Sequence, residues 1–541
     1  QKEFQYYVKD EGTNYERIHG WLKQDIENKV TSSRGRIDVF RRNLAMFKGI
    51  QYRSYESRDN IRDDNLSLRN PRMCINYVYD MVEQKVAQRA RNKPGIAFIP
   101  HNQDEWKDIT NAKTAKILCD YKAEESDLAG KFSECDKISF IMGTASLMTY
   151  WDGKDVNYRV WRPDELYFQL GKRRLDDVFE LTTIEYVSID ELKEDYPESA
   201  DKISESDGTV FDYENFEEKT VQGYTKKYTF WHKPSKNFPT GCRIIFCDSC
   251  ILDWITFPFE DGLLPIDVLT DIDVIGELHG RPFVNNIVQA QRHHNLITSA
   301  IARNHGVASA PKWIVPKGAC SVNTLNNDIT IVEYSGPRAP ELRQTNPTGQ
   351  EIFMYQDKLE NYIGRLSGIY AISRGDVPPR ISAASALMFL DEQEQQRDSR
   401  AIAKRNKFIR NVYTKTLSRM NQFYKKEDGR FARILGKDNE YMVKNFEQDF
   451  DFNCSVTIQN TSALPDSKAG RIQAIVDLNQ ATAQDPIFKK EEVVQMLDLG
   501  ADETFKNEAT VALKAAESVL SDIMEGNANV PEPQPYDDLL V

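Results

Sequence analysis

Three aspartates in the pattern Asp267-x3-Asp271-x-Asp273 offer the first chemistry in this chain. Carboxylates set that closely could hold Mg²⁺ for phosphodiester hydrolysis. The plainer reading is a polar loop leading into a helix. Cys242-x4-Cys247-x2-Cys250, with His232 upstream, suggests zinc. A closed structural zinc site needs four ligands, and no second Cys pair lies nearby. These residues also sit in an alternating strand, where Cys packs as a small apolar side chain. His293 and His294 invite a metal as well, but adjacent helix positions point apart. The chain holds no P-loop glycine pattern, no Gly-x-Ser-x-Gly and no His-Glu-x-x-His. The expectation is therefore a non-enzymatic protein with no catalytic residue, no metal and no cofactor. Any ATPase motor it works with is another chain.

The sharpest charge signal runs from Arg397 to Lys426. It holds Arg397, Arg400, Lys404, Arg405, Lys407, Arg410, Lys415, Arg419, Lys425 and Lys426 against Asp398 alone. Such a run either faces DNA phosphates as a basic rung or pairs across subunits with acidic loops (Asp195, Glu198, Asp201, Glu217, Glu218). Arg34, Arg36, Arg41 and Arg42 read as a solvated helix face.

The elements that must position these residues centre on Gly280 to Glu427, read as helix, β-rich insert, helix, breaker, very long helix. The first helix covers roughly Arg281–His305, with Phe283, Val284, Ile287, Val288, Ile297, Ala300 and Ile301 at helical spacing. The second covers roughly Gly349–Tyr370, with Phe353, Leu359, Ile363, Leu366 and Ile369 on one face. In the breaker Ser373–Arg380, Pro378-Pro379 cannot lie inside a helix. Ser382 offers an N-cap, and no Gly or Pro follows until about Lys426. That third helix would be on the order of 65 Å long. Upstream, amphipathic helices are expected over 15–48, 71–92 and 105–137, with a strand at 96–100. A strand is expected at 156–161, followed by the stretch 162–168, and hairpin strands at 224–232 and 242–257. After the long helix come a strand at 455–459 and helices at 469–482, 490–497 and 502–524. Pro311–Pro316 and Asp328–Tyr334 are candidate strands of the insert.

A chain of 541 residues suggests two to four domains, and the class is α+β. At 28% charged residues, with no apolar run near a membrane span, a membrane protein is not expected. Net charge −13 argues against non-specific wrapping of nucleic acid by the whole surface. Eight mostly scattered Cys fit a reducing compartment, not a disulfide framework.

The order of motifs resembles portal proteins of tailed bacteriophages over roughly Pro71 to Asp477. Asn76-Tyr77-Val78 leads a helix that stops at Pro94 before a strand closing in Pro100. Gly143-Thr144-Ala145-Ser146-Leu147-Met148-Thr149-Tyr150-Trp151-Asp152 precedes a strand and Arg162-Pro163-Asp164-Glu165-Leu166. Gly280-Arg281-Pro282-Phe283-Val284 opens a helix carrying Gln291 and Asn295. Gly368-Ile369-Tyr370, Val377-Pro378-Pro379 and a Ser/Ala-rich start to a long helix with Glu392-Gln393-Glu394 follow.

The resemblance implies a wing over 1–279, stem helices over 280–310 and 349–372, and a clip over 311–348 between them. It implies a tunnel loop over 373–381, a long wing helix with return strands over 382–463, a crown over 464–528 and an extended tail over 529–541. Clip contacts with terminase or adaptor fall to Lys312, Trp313, Lys317, Arg338, Glu341 and Arg343. Tunnel-loop residues Ser373, Arg374, Asp376 and Arg380 would meet DNA, and Arg397, Arg400, Lys404, Arg405 and Arg410 would face DNA or a neighbouring subunit. The implied assembly is a dodecameric ring at one capsid vertex, built in the host cytoplasm and carried in the virion. Its implied partners are the major capsid protein, the terminase large subunit, head-tail adaptor and tail proteins, a scaffolding protein and double-stranded DNA in transit. Two rivals stand beside this expectation. One is a metal-dependent nuclease using Asp267, Asp271 and Asp273, which Asp271→Ala would abolish. The other is a different virion ring protein such as an adaptor.

Overall fold

The computed structural model describes residues 15–52, 72–91, 94–101, 106–204, 209–212, 216–236, 238–308, 349–369, 384–424, 430–435, 441–446 and 454–459, with 312–314, 317, 335, 337 and 341–343 between the stem segments. In chain order it places α1 Tyr15–Phe47, α2 Tyr77–Arg91, β1 Gly95–Pro100, α3 Trp106–Glu125, α4 Leu128–Met142, β2 Thr144–Trp151, β3 Val156–Trp161, β4 Leu166–Phe168, β5 Glu180–Ser188 and α5 Ile189–Asp195. There follow β6 Thr209–Asp212, β7 Glu217–Thr220, β8 Tyr224–His232, β9 Cys242–Cys247, β10 Ile251–Thr256, β11 Ile266–Thr270 and α6 Val288–Ala308. The last described elements are β12 Lys312–Ile314, β13 Glu341–Arg343, α7 Gln350–Ser367, α8 Ala384–Phe423, β14 Arg430–Leu435, β15 Tyr441–Phe446 and β16 Cys454–Gln459. The class is α+β.

The chain divides into two compact units, 1–93 with 123–423 and 94–122 with 424–541. In the second, β1 runs antiparallel to β16 from Gly95↔Gln459 to Pro100↔Cys454, and β14 and β15 form a hairpin. The first unit carries two antiparallel sheets, ordered β10-β9-β8-β5-β4 and β11-β2-β3. Strands β2, β4 and β9 are almost continuously buried, so they are covered on both faces. Helix α1 is one continuous helix of 33 residues. Its first half lays Ile18, Leu22 and Ile26 on the five-stranded sheet, against Phe230, Ile244, Phe246 and Trp254. Its second half puts Phe40 and Met46 against Val78, Val82, Phe140, Phe283 and Ile287. One helix thus joins two cores. Arg36, Arg41 and Arg42 are not the solvated face expected of them. Arg42 donates to Asn285 Oδ1 at 2.6 Å, Arg41 lies 3.8 Å from the Phe211 ring centroid, and Arg36 donates to Ser33 Oγ at 2.9 Å. Of the four, only Arg34 is exposed.

The helix expected over 105–137 is two, broken at Asp127. That residue adopts φ 46° and accepts from the Gly130 amide, an aspartate capping its own helix in left-handed geometry. At the far end, α4 stops at Gly143, φ 87°. A Cβ there would lie 2.3 Å from the Gly280 carbonyl oxygen, and one on Gly280 2.4 Å from that of Gly143. The two glycines let the α4–β2 turn and the α6 approach touch backbone to backbone.

Beneath this contact lies a buried ion network. Asp136 on α4 is 1% exposed and accepts from Arg89 on α2 at 3.1 Å and from Arg405 on α8 at 2.7 Å. Arg89 reaches on to Asp271, while its guanidinium sits 4.4 Å from the Phe140 ring centroid. Three helices and the end of β11 meet here. Removing the shared carboxylate takes from Arg89 and Arg405 their common counter-ion in a dry environment, which costs about 3–5 kcal/mol. Asp136→Ala should lower the unfolding free energy by that amount in urea titration. Asp273→Ala, half-exposed with Lys404 its nearest cation, should cost under ~1 kcal/mol. Equal losses for both variants would refute a central role for Asp136.

Candidate stem surface and basic helix

The helix expected from Arg281 begins as a short 3-10 turn, Phe283–Asn286, and becomes α6 at Val288. Phe283, Val284, Ile287 and Val288 are buried, whereas Ala300 and Arg303–Gly306 are exposed. Helix α7 follows the opposite trend: Glu351–Tyr355 are exposed, and Leu359, Ile363 and Ser367 are buried. Gly368, φ 71°, then ends it. The two helices contact one another. Burial therefore fades along this hairpin toward the insert. Of the residues expected on one apolar face of α7, Leu359, Ile363 and Ile369 pack inward, while Phe353 and Leu366 stand exposed. Tyr355, Tyr362 and Leu366, also exposed, recur at helical spacing.

The hairpin's base is fixed by a buried amide network that sequence reasoning did not foresee. Gln291 donates to the Ile75 carbonyl at 2.6 Å and to Asn295 Oδ1 at 2.9 Å, and accepts from the Tyr77 amide at 3.0 Å. Asn295 donates to Gln51, Gln51 to Asn76 at 2.9 Å, and Asn76 to the Phe47 carbonyl at 2.7 Å. Gln51, Asn76 and the α6 pair Gln291 and Asn295 come from three separate stretches of chain, so no local pattern could reveal the network. The signal available was three amides at otherwise apolar positions. His294 is buried, 3.3 Å from Glu360 Oε1, and edge-on to Tyr77, whereas His293 is exposed. The pair points apart, as adjacent helix positions must.

In the insert, β12 and β13 pair antiparallel as Lys312↔Arg343, Trp313↔Leu342 and Ile314↔Glu341. The partner of the first expected strand is thus 341–343. The second expected strand, 328–334, and Arg338 lie outside the described residues, as do Ser373, Arg374, Asp376, Arg380 and the region expected to form crown and tail. Lys317 is exposed in a turn.

Helix α8 places much of the basic run against carboxylates. Lys404 binds Asp273 at 2.7 Å, Arg405 binds Asp136 at 2.7 Å, Lys415 binds Asp267 at 3.0 Å, and Arg419 binds Asp261 at 2.6 Å. Arg419 is 0% exposed, its guanidinium 3.6 Å from the Phe259 ring centroid. These cations pair with carboxylates of their own chain. The residues that stay outward are Arg400, whose side chain is 84% exposed, with Lys407 and Arg410. The side chain of Arg397 lies outside the described residues.

The same pairings separate the three aspartates. Asp267 goes to Lys415, Asp271 to Arg89 and Asp273 to Lys404. Burial pushes the Asp267 carboxyl up, against the pull of the Lys415 ammonium. A cation already occupies each carboxylate, so the trio does not converge on an ion. The zinc candidates separate too. His232 and Cys242 face each other across β8 and β9, inside an apolar cluster. Cys247 is an odd number of residues beyond Cys242 on the same strand and packs with Ile189, Leu192 and Ile203. Among the described residues, no group of three or more His, Cys, Asp or Glu is placed to hold a metal ion, and no helix is long and apolar enough to cross a membrane. Comparison with models of known protein families gives no match, and comparison with curated proteins gives none.

Two of these histidines make stability depend on acid. Burial pulls His232 down to about 4 and His279 down to about 3. Both are neutral when folded and take up a proton on unfolding below their ordinary value near 6.5. The unfolded state binds more protons in that window, so stability is full above pH ~6.5 and falls as pH drops. By pH ~5 each should cost on the order of 1–2 kcal/mol. Urea midpoints for the His232→Gln/His279→Gln double variant should therefore vary less between these pH values than those of the parent. An unchanged slope would exclude these two groups as its source.

Proposed function

We propose that this chain is the subunit of a ring-forming portal protein, through which phage DNA is packaged and ejected. The observation that carries the reading is the α6–α7 hairpin. Its base is locked by buried amides, while its outer end, as far as the described parts of its own chain go, exposes Ile352, Phe353, Met354 and Tyr355, and Tyr362 and Leu366 continue an exposed apolar face toward the base. Apolar side chains clustered on one projecting element mark a surface made for a partner. In a cyclic assembly each subunit's hairpin is covered by the next, by a heterologous contact that closes the ring. The short β12–β13 pair at the hairpin's open end supports a clip whose strand edges neighbours complete.

The charge distribution supports the same reading. The chain is acidic overall, with net charge −13. It turns most described cations of α8 inward, leaving Arg400, Lys407 and Arg410 outside. A conduit for DNA gains from weak attraction, because tight phosphate binding would arrest sliding. Terminase and adaptor proteins would dock on the clip, and the ring would sit at one capsid vertex. The nuclease rival is not proposed, since each of its aspartates already has a cation.

Native mass spectrometry with negative-stain imaging tests the assembly. The expected result is closed rings of about a dozen subunits with a central hole. A monomer or dimer at every concentration would end the portal reading. The Tyr362→Glu/Leu366→Glu variant should block ring formation while leaving the monomer's melting temperature within a degree or two, as surface substitutions usually do. Rings that survive both charges would remove the hairpin from the interface.

A further inference from the structure

Cys247 closes β9 and Cys250 precedes β10, so the two thiols flank the tip of a hairpin, Cys247-Asp248-Ser249-Cys250. The turn is tight: the Cys247 amide donates to the Cys250 carbonyl at 2.9 Å. This brings the sulfurs to 3.6 Å, with Ser249 Oγ 3.1 Å from Cys247 Sγ. The other described cysteines are spread over separate elements: Cys74 before α2, Cys119 on α3, Cys135 on α4, Cys242 at the start of β9 and Cys454 on β16. The hairpin is anchored on both sides. Cys247 packs with Ile189, Leu192 and Ile203, and Tyr228 donates to Asp248 at 2.9 Å. His19, the nearest imidazole given a contact here, bonds the Cys247 carbonyl oxygen at 2.8 Å and not a sulfur. A closed metal centre wants four ligands. Two thiols held in contact on a rigid turn suit each other instead.

We propose that Cys247 and Cys250 form a dithiol modification site that reacts with low-molecular-weight disulfides and closes to an intramolecular disulfide. The partly exposed Cys250 thiolate attacks one sulfur of oxidised glutathione, forming a mixed disulfide and expelling one glutathione thiolate. The Cys247 thiolate, already at van der Waals distance, then attacks Cys250 Sγ and expels the second glutathione. Two protein thiols lose two protons and two electrons, and one oxidised glutathione becomes two reduced molecules. Little backbone movement is needed, because the hydrogen-bonded turn has already brought the sulfurs together. The closed loop is short, so the bond adds little by restricting the unfolded chain. Its effect is local: it ties the hairpin tip to the cluster under α5. Burial, and then the neighbouring Cys247, push the Cys250 thiol up to about 11, so exchange is slow at neutral pH and the pair persists reduced until an oxidising poise is sustained.

The test equilibrates the reduced full chain with buffers of increasing oxidised-to-reduced glutathione ratio, followed by intact mass and peptide mapping. The expected product has lost two hydrogens in a Cys247–Cys250 bond, and dithiothreitol restores the parent mass. In Cys247→Ser the resolving thiol is gone, so one glutathione should accumulate at Cys250. Exposed Cys74 shows in the same spectra that the reagent reaches the protein. If Cys74 is modified while Cys247 and Cys250 both stay alkylatable in the most oxidising buffer, the proposal fails. It fails equally if the parent protein retains glutathione on Cys250 that Cys247 never displaces.

Discussion

The carboxylate of Asp136 governs how the first unit comes together. It is buried between two guanidinium groups contributed by helices distant in sequence, Arg89 on α2 and Arg405 on α8. A charge in that position repels any arrangement that leaves it single, so α2, α4 and α8 have one mutual placement that satisfies it. The aromatic face of Phe140 under Arg89 and the onward bond to Asp271 extend the same constraint to the end of β11. Further along α8, Lys415 and Arg419 repeat the device, holding Asp267 and Asp261 against the small sheet. An apolar seam of Phe408, Ile409, Val412 and Met420 gives α8 its affinity for the core, and the ion pairs fix its register.

This explains why the charge pattern of α8 does not reveal which carboxylates its cations meet. Helix α8 was legible from the breaker before it and its lack of Gly and Pro, and it runs from Ala384 to Phe423. The destination of its cations was not legible. Lys415 and Asp267 are far apart in sequence, and a buried Lys has the same letter as a solvated one. The same limit hid the amides of Asn76, Gln291 and Asn295, which meet only once α6 lies across the start of α2. Strands bounded by turn residues, such as Val156–Trp161 and Tyr224–His232, could be read locally because their alternation is a nearest-neighbour property. The break at Asp127 escaped because it rests on a left-handed backbone that aspartate tolerates without announcing it.

Glycine placement follows the same economy of contact. Gly143 and Gly280 stand in different motifs, yet each excludes a side chain for the other's sake. The α4–β2 turn and the approach to α6 are thereby held at backbone distance, with the Gly280 amide donating to Thr144 Oγ1 at 3.0 Å. The amide network then takes over along α6, so among the described residues the hairpin is gripped at its base.

A rod gripped at one end is a lever. Helix α6 has 21 residues, and at ~1.5 Å per residue its tip stands about 30 Å from its root. A rotation of about 5° at the root therefore carries the tip ~2.6 Å, roughly a strand's rise per residue. The root is a set of buried amide hydrogen bonds, so the angle that Gln51, Asn76, Gln291 and Asn295 set there is carried, multiplied by the length of the helix, to its far end.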